Sequence, residues 1–568
     1  MKFIKLGNAI MLKKLCAFLL ASTSFTGFAL EEKPKLILQI TVDQLRADLP
    51  LRYMQNFKKG GFRYLYQEGV VYTDAHHPHA NTETIVGHTT LATGATPSIH
   101  GMVGNVWLDR STGKTKYNIE DPDYHLLSKN ADVDKKTEID PTQKAASTDG
   151  RSPAGILSTT FSDELAVHTA GQAKIFGVSV KDRGAVAMAG HAGKAYWFSK
   201  AAGTFVTSNY YMDRYPLWVE KWNGSGKLNS YKKNHWKLSR PLDNYVMKAQ
   251  DDVPWETDIA GFGKKFPHPY KEGKYFTTLL TLSPAGDALT LDFAKELLVQ
   301  EKLGQDEITD YLSVSFSSTD YVGHIFGPSS LEMEDNLYQL DGFLADLFRF
   351  VDKKVGLDNT LIVFSADHGA PEVPGYLQSL KIPAKFINPD KWPKEKAIKA
   401  IEKQFSIKSQ LIEKYEHPYI YFSEEVNARP DSERLAIEQA AVKQLMTISG
   451  IHLAVSSRAL EQNALPNTAI HRAVLNNFHP KHSGDVYIVF DPNCFINHFD
   501  GLEVACTHGS PWSYDTHVPL IFAGYDIDDN TVARRVSTCD LAMTLSNIIG
   551  CRPPSGSVAN VLEEVLED

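Results

Sequence analysis

Cysteine is scarce in this 568-residue chain, five residues in all, and no two of them stand in the Cys-x-x-Cys spacing of a zinc knuckle. No apolar run is long enough to cross a bilayer comfortably; the best candidate, residues 15–21, is about a third of the roughly 20 residues a span needs. Basic residues are in deficit, 59 Lys and Arg against 68 Asp and Glu, which argues against a nucleic-acid polymer as partner. Internal repeats and low-complexity tracts are missing too, which excludes solenoids and disordered arrays. What remains, 43% apolar and 22% charged, is the balance of a soluble globular protein with a large core.

Residues 1–29 read as an export signal. Lys13 and Lys14 precede the apolar run, and Gly27-Phe28-Ala29 offers small residues for cleavage; Met11 is an alternative start. Removing this segment takes Lys2, Lys5, Lys13 and Lys14 and no acid, moving the net charge from −9 to −13. It also takes Cys16. Cys494, Cys506, Cys539 and Cys551 remain, either as up to two disulfides of an exported protein or as buried thiols.

Three strongly apolar strand candidates each end in an aspartate. Residues 35–42 run into Asp43, residues 311–316 lead through Ser317-Ser-Thr to Asp320, and residues 360–364 reach Asp367 and His368. Helical patterns at 330–354 and 431–449 suit crossover connections, so we expect an α/β fold with a mostly parallel central sheet flanked by helices. In such sheets ligands bind at the carboxyl ends of the strands. One terminal Asp is a helix cap; three in the same setting are a site. His324 follows Asp320 by four residues, and His517 stands just ahead of another buried strand. Mixed Asp and His donors suit zinc, then Mn or Fe, and suit Ca or Mg less.

Residues 85–91 have helical spacing, with Gly94 as a stop, which puts Thr84 at a helix start. Taken alone it reads as an N-cap, a common place for Thr. With the Asp and His set in the same chain it reads as a nucleophile. Lys181 and Arg183 are two apart, so on a strand both would face one way and Asp182 the other.

Taken jointly and in order, Asp43, Thr84 with His88, Asn105, Asp320-x3-His324, Asp367-His368 and Asp-Thr-His517 resemble the alkaline phosphatase superfamily. The resemblance is nearest to its single-chain, threonine-nucleophile bacterial alkaline phosphatases, kin of nucleotide pyrophosphatases/phosphodiesterases, and covers residues 36–554 in blocks. It implies a phosphomonoesterase with two zinc ions per chain, a phosphothreonine intermediate on Thr84, and residence in the periplasm or outside the cell without a stable membrane anchor. It assigns Asp43, Thr84, Asp367 and His368 to one ion and Asp320, His324 and His517 to the other. Asn105, Lys181 and Arg183 would contact the phosphoryl oxygens of small-molecule monoesters. His508, in the matching Thr-His-Gly-Ser block, receives no ligand role, only a supporting one. A diesterase with the same metals is the alternative, disfavoured by Lys181 and Arg183, since a monoester dianion rewards two cations. No Cys-x-Pro-x-Arg block of a sulfatase is present, and no ligand is missing as in a catalytically dead binding protein.

Because the expected ligands span 43–517, we expect one catalytic domain over 30–568 carrying insertions near 107–150, 201–273 and 371–405. The second of these holds Tyr210, Tyr211, Tyr215, Trp218, Trp222, Trp236 and Trp255. It reads as a small local core beside the site, or as a lid. A monomer is compatible with all of this.

Overall fold

Nine strands form the main sheet: β1 (Leu36–Val42), β2 (Gly69–His76), β3 (Ile175–Ser179), β4 (Lys194–Ser199), β5 (Thr204–Val206), β6 (Asp310–Phe316), β7 (Thr360–Ser365), β8 (His517–Gly524) and β9 (Asn530–Ser537). The computed structural model describes residues 33–499 and 502–566, so the expected export signal at 1–29 lies outside the described residues. Strand order is β9-β2-β8-β7-β1-β6-β3-β4-β5. Only β8 and β5 run against the rest.

Strands β1, β6 and β7 are buried along their whole length, which is why they read as continuous apolar runs and not as alternating ones. Their side chains still alternate between two cores. Leu36, Leu38, Ile40, Leu312, Val314, Ile362 and Phe364 enter one, while Ile37, Tyr311, Leu361 and Val363 enter the other. The register Val42↔Phe316 and Thr41↔Ser315↔Ser179 aligns the carboxyl ends of β1, β6 and β3. Four helices matter to the site: α1 (Thr84–Thr93), α2 (Asp182–Ala189), α3 (Ser318–Phe326) and α4 (Leu331–Lys354). Helices α3 and α4 make the β6-to-β7 crossover, with Ser330 capping α4 by accepting from the Met333 N–H and Lys353 and Lys354 in its last turn.

The 431–449 pattern departs from expectation. It forms a helix, Asp431–Leu445, but this crosses a second sheet, whose strands Ile412–Glu416, Tyr419–Phe422, Val486–Phe490 and Ile451–Ser456 are all antiparallel. Ile437, Ala441 and Leu445 pack there with Ile398 and Ile401, from the segment expected as an insertion near 371–405. The aromatic segment makes no core of its own. Trp218, Trp222, Trp236 and Phe262 join the core beneath β1 and β6. Cys494, Cys506, Cys539 and Cys551 are free thiols, so the disulfide alternative is not realised. Among the described residues no helix is long and apolar enough to cross a membrane.

Candidate active site

Asp43 leaves the end of β1, its N–H held by the Phe316 carbonyl of β6 at 2.9 Å. Asp320 and His324 lie four apart on α3, on one face of the helix. Asp367 and His368 follow β7 after the single residue Ala366. Thr84 is the first residue of α1 and does not cap it: Glu83 holds the cap position, and its carboxylate accepts from the Asn105 N–H at 2.8 Å. Helix α1 passes so close to Asp367 that a Cβ on Gly87 would sit 1.9 Å from the Asp367 carbonyl oxygen.

Three histidines are prepared as ligands in the same way. His368 Nδ1 bonds the Gly369 carbonyl at 2.9 Å, His324 Nδ1 that of Cys506 at 2.8 Å, and His508 Nδ1 that of Thr82 at 2.7 Å. Each therefore carries its proton on Nδ1 and offers the Nε2 lone pair inward. His324 Nε2 and His508 Nε2 lie 3.2 and 3.5 Å from Asp320 Oδ1, and His368 Nε2 lies 3.5 Å from both Asp43 Oδ1 and Asp367 Oδ2. Asp43 Oδ1, Asp367 Oδ2 and His368 Nε2 are buried without a hydrogen-bond partner. Burial and then Asp367 push the Asp43 carboxyl well above its ordinary range, against the pull of Lys181, and Asp320 pushes further. Burial likewise holds His368 well below its ordinary value despite Asp367. Crowded carboxylates, imidazoles with Nε2 turned inward and unpartnered donor atoms fit divalent metal ions of the zinc type.

Several positions differ from the sequence reading. His517 is not beside Asp320 and His324. As the first residue of β8 it pairs with His76 on β2, and its Nε2 bonds the Thr73 carbonyl at 2.9 Å. His508 stands in its place. No strand-end aspartate marks His508; it hangs in a loop fixed by Gly509, whose φ of +114° suits glycine and whose Cβ would strike His417. Gln44 was also missed. Its backbone N–H donates to Asp367 Oδ1 at 3.0 Å and its Nε2 to Asp320 Oδ1 at 2.9 Å, tying the two halves of the cluster together from a left-handed φ of +67°.

Lys181 and Arg183 are not on a strand either. β3 ends at Ser179, Lys181 is the residue before α2, and Arg183 lies in the first turn of that helix. They still converge: Lys181 Nζ and Arg183 Nη2 each donate to Thr84 Oγ1 at 3.4 Å. Lys181 also lies 2.8 Å from Asp43 Oδ2 and 2.5 Å from Asp320 Oδ2. Burial would lower its pKa, but Asp320 and Asp43 outweigh that and keep it charged. Arg183 Nη1 is held by Asp140 at 2.8 Å, from the 107–150 segment. Asp182 does not face solvent; it accepts from Tyr117 Oη at 2.6 Å and Arg151 Nε at 2.9 Å. Asn105 accepts the Ile85 N–H through Oδ1 at 3.2 Å and lines a cleft with Arg183, His324 and His508. The same cleft is also lined by apolar side chains, among them Ile139, Ile259, Leu282, Ile325 and Leu502.

A family model described as type I phosphodiesterase / nucleotide pyrophosphatase matches residues 37–511. The chain is 31% identical over 570 residues to a Myroides odoratus protein named calcium-transporting ATPase, covering 99% of each. It is 33% identical over 540 residues to alkaline phosphatase PafA of Elizabethkingia meningoseptica, covering 94% of this chain and 95% of that protein. The crystal structure of wild-type alkaline phosphatase PafA matches with a TM-score of 0.83 at 31% identity, over 94% of this chain and 99% of that one.

Proposed function

This chain belongs to the type I phosphodiesterase / nucleotide pyrophosphatase family, within the alkaline phosphatase superfamily, and from that premise we propose that it is a phosphate monoester hydrolase with Thr84 as nucleophile. The observation that carries this reading is the convergence of Lys181 Nζ and Arg183 Nη2 on Thr84 Oγ1, each at 3.4 Å. A hydroxyl facing two cations suits a doubly charged phosphoryl group better than the single charge of a diester.

The metal site takes Asp43, Thr84, Asp367 and His368 as one set and Asp320, His324 and His508 as the other, for two zinc ions. Bound there, zinc supplies the Lewis acidity that makes a threonine hydroxyl and a water reactive near neutral pH. Thr84 Oγ1 attacks phosphorus while Lys181, Arg183 and Asn105 hold the non-bridging oxygens, and the P–O bond to the leaving alcohol breaks in line. Water then hydrolyses the phosphothreonine and frees Thr84. Thr84 stands at the positive end of α1, whose dipole favours negative charge on the same phosphoryl group. Transfer of the terminal phosphoryl group of ATP to Thr84 would follow the same course with ADP in place of the alcohol as leaving group, which accommodates the name of the Myroides odoratus relative. The basic and apolar start of the chain supports export to the periplasm or beyond.

A diesterase reading draws on the apolar lining of the cleft, which could seat a second ester group. Initial rates on an aryl phosphate monoester and the matching diester separate the two. We expect kcat/KM to favour the monoester by orders of magnitude; a preference for the diester would overturn the proposal.

A further inference from the structure

The histidine that the active site leaves out sits in a cluster of its own. Asp74 and His76 close strand β2, and His517 opens β8, where His76 and His517 are direct cross-strand partners. Their rings stack at 4.7 Å with planes 12° apart, and His76 Nε2 lies 2.8 Å from Asp74 Oδ1. Donor atoms of Asp74, His76 and His517 all fall within 4.8 Å of one another. Tetrahedral zinc ligands at about 2.1 Å from the ion stand roughly 3.4 Å apart, so an ion would part the 2.8 Å contact of His76 and Asp74 slightly and draw in the longer separations, none above 4.8 Å.

Both imidazoles are oriented as ligands are. His76 Nδ1 bonds Thr516 Oγ1 at 2.9 Å, which leaves Nε2 beside the carboxylate. His517 Nε2 bonds the Thr73 carbonyl at 2.9 Å, which leaves Nδ1 as its uncommitted nitrogen. A partner on one ring nitrogen fixes the tautomer and aims the other at the metal. The side chain of Asp74 is 40% exposed, giving an ion a path from solvent and room for a water as fourth ligand. The opposing charge is Arg535, the cross-strand neighbour of Asp74 on β9, which is exposed.

We propose that Asp74, His76 and His517 form a further metal site for zinc or a similar divalent ion, separate from the catalytic set. With two protein imidazoles and one carboxylate on a partly open edge, it holds its ion less tightly than the buried cluster does.

The test counts metal directly on the full-length protein. After equilibration with zinc chloride, wild-type protein should hold one zinc per chain more than His76→Ala/His517→Ala, while the monoester kcat of the two stays equal. Thr516→Val, which removes the hydroxyl that orients His76, should weaken zinc binding at this site by roughly 10–100-fold. Arg535→Ala should tighten it. If the double variant does not fold, Asp74→Asn gives the same reading from a half-exposed side chain. Equal zinc counts in wild type and variant, or an Arg535→Ala variant that binds no more tightly, would overturn the site. An Asp320→Ala protein should keep this ion, so the count stands whether or not the phosphatase reading does.

Discussion

Lys181 and Arg183 carry the specificity argument, and both can be removed. Charge-assisted hydrogen bonds are worth about 1.5–3 kcal/mol each, so Lys181→Ala/Arg183→Ala should cost roughly two to four orders of magnitude in monoester kcat/KM. Diester turnover should fall far less. Equal losses on both substrates would mean that the pair only positions α2. Asp182→Ala should also cost activity, because Asp182 anchors Tyr117 and Arg151 around Arg183. At Gln44 the prediction is about metal. Gln44→Gly keeps the left-handed backbone and its bond to Asp367 but deletes the one to Asp320. Zinc retention under chelator challenge should drop roughly 10–100-fold with little change in Tm; unchanged retention would leave Gln44 a mere spacer. Most of the candidate site was legible because an aspartate after a buried strand is a local signal. His508 and Gln44 were not, because a loop histidine and a glutamine acquire their roles only from what folds against them. His517 carried the right local signal at the wrong strand.

Elements read well where burial dictated them and poorly where charge did. The runs before Asp43, Asp320 and Asp367 could only be central strands. The stretch Lys181-Asp-Arg was read as a strand from its alternation, yet Asp182 near a helix N-terminus and the Ala-rich residues after Gly184 make α2 the better outcome. The helix at 431–445 was detected, but which sheet it covers is a tertiary fact. Helix α1 itself offers a paired test. Gly87→Ala drives a methyl into the Asp367 backbone, where no flexible atom can yield, and overpacking of this kind costs about 1–3 kcal/mol. Activity should fall more than stability, since Thr84 and Asp367 are pushed apart. Gly342→Ala on α4, exposed with nothing within 4 Å of its Cβ, should instead raise stability by about 0.5–1 kcal/mol and leave kcat alone. Loss of activity in both variants, or in neither, would contradict the close approach at Gly87.

The largest of the molecule's cores, beneath β1 and β6, is one that the aromatic segment helps to fill. Trp222 stacks edge-on against Phe205 and Phe293 and donates its Nε1–H to Asp292 at 2.7 Å. Trp222→Ala should therefore cost about 3–5 kcal/mol by chemical denaturation, with KM unchanged at temperatures where the variant is folded. A raised KM with normal stability would make the segment a lid. Stability should also depend on pH through Asp287, which joins the Pro284–Gln300 helix to α3 by accepting from the Ser318 N–H at 3.0 Å. Burial pushes its carboxyl from 3.8 to about 7. The folded state thus keeps a proton that the unfolded chain releases, and stability drains away as pH climbs from about 4 to about 7 and then levels off. At 1.36 kcal/mol per pH unit, the loss is bounded at about 4 kcal/mol. Asp287→Asn should remove this slope, so that the Tm advantage of the variant widens between pH 5 and pH 8; a constant difference would refute the assignment.

The residues gathered around Thr84 begin at Asp43 and end at His508, with the second sheet built in between. A ribosome or a translocation pore delivers them in that order. A nascent chain that has passed α1, the β6–α3 connection and even β7 still lacks His508, and its acidic cluster is incomplete. On the proposed site, a chain that ends short of His508 should be inactive, so activity waits for the last part of the fold to reach the first.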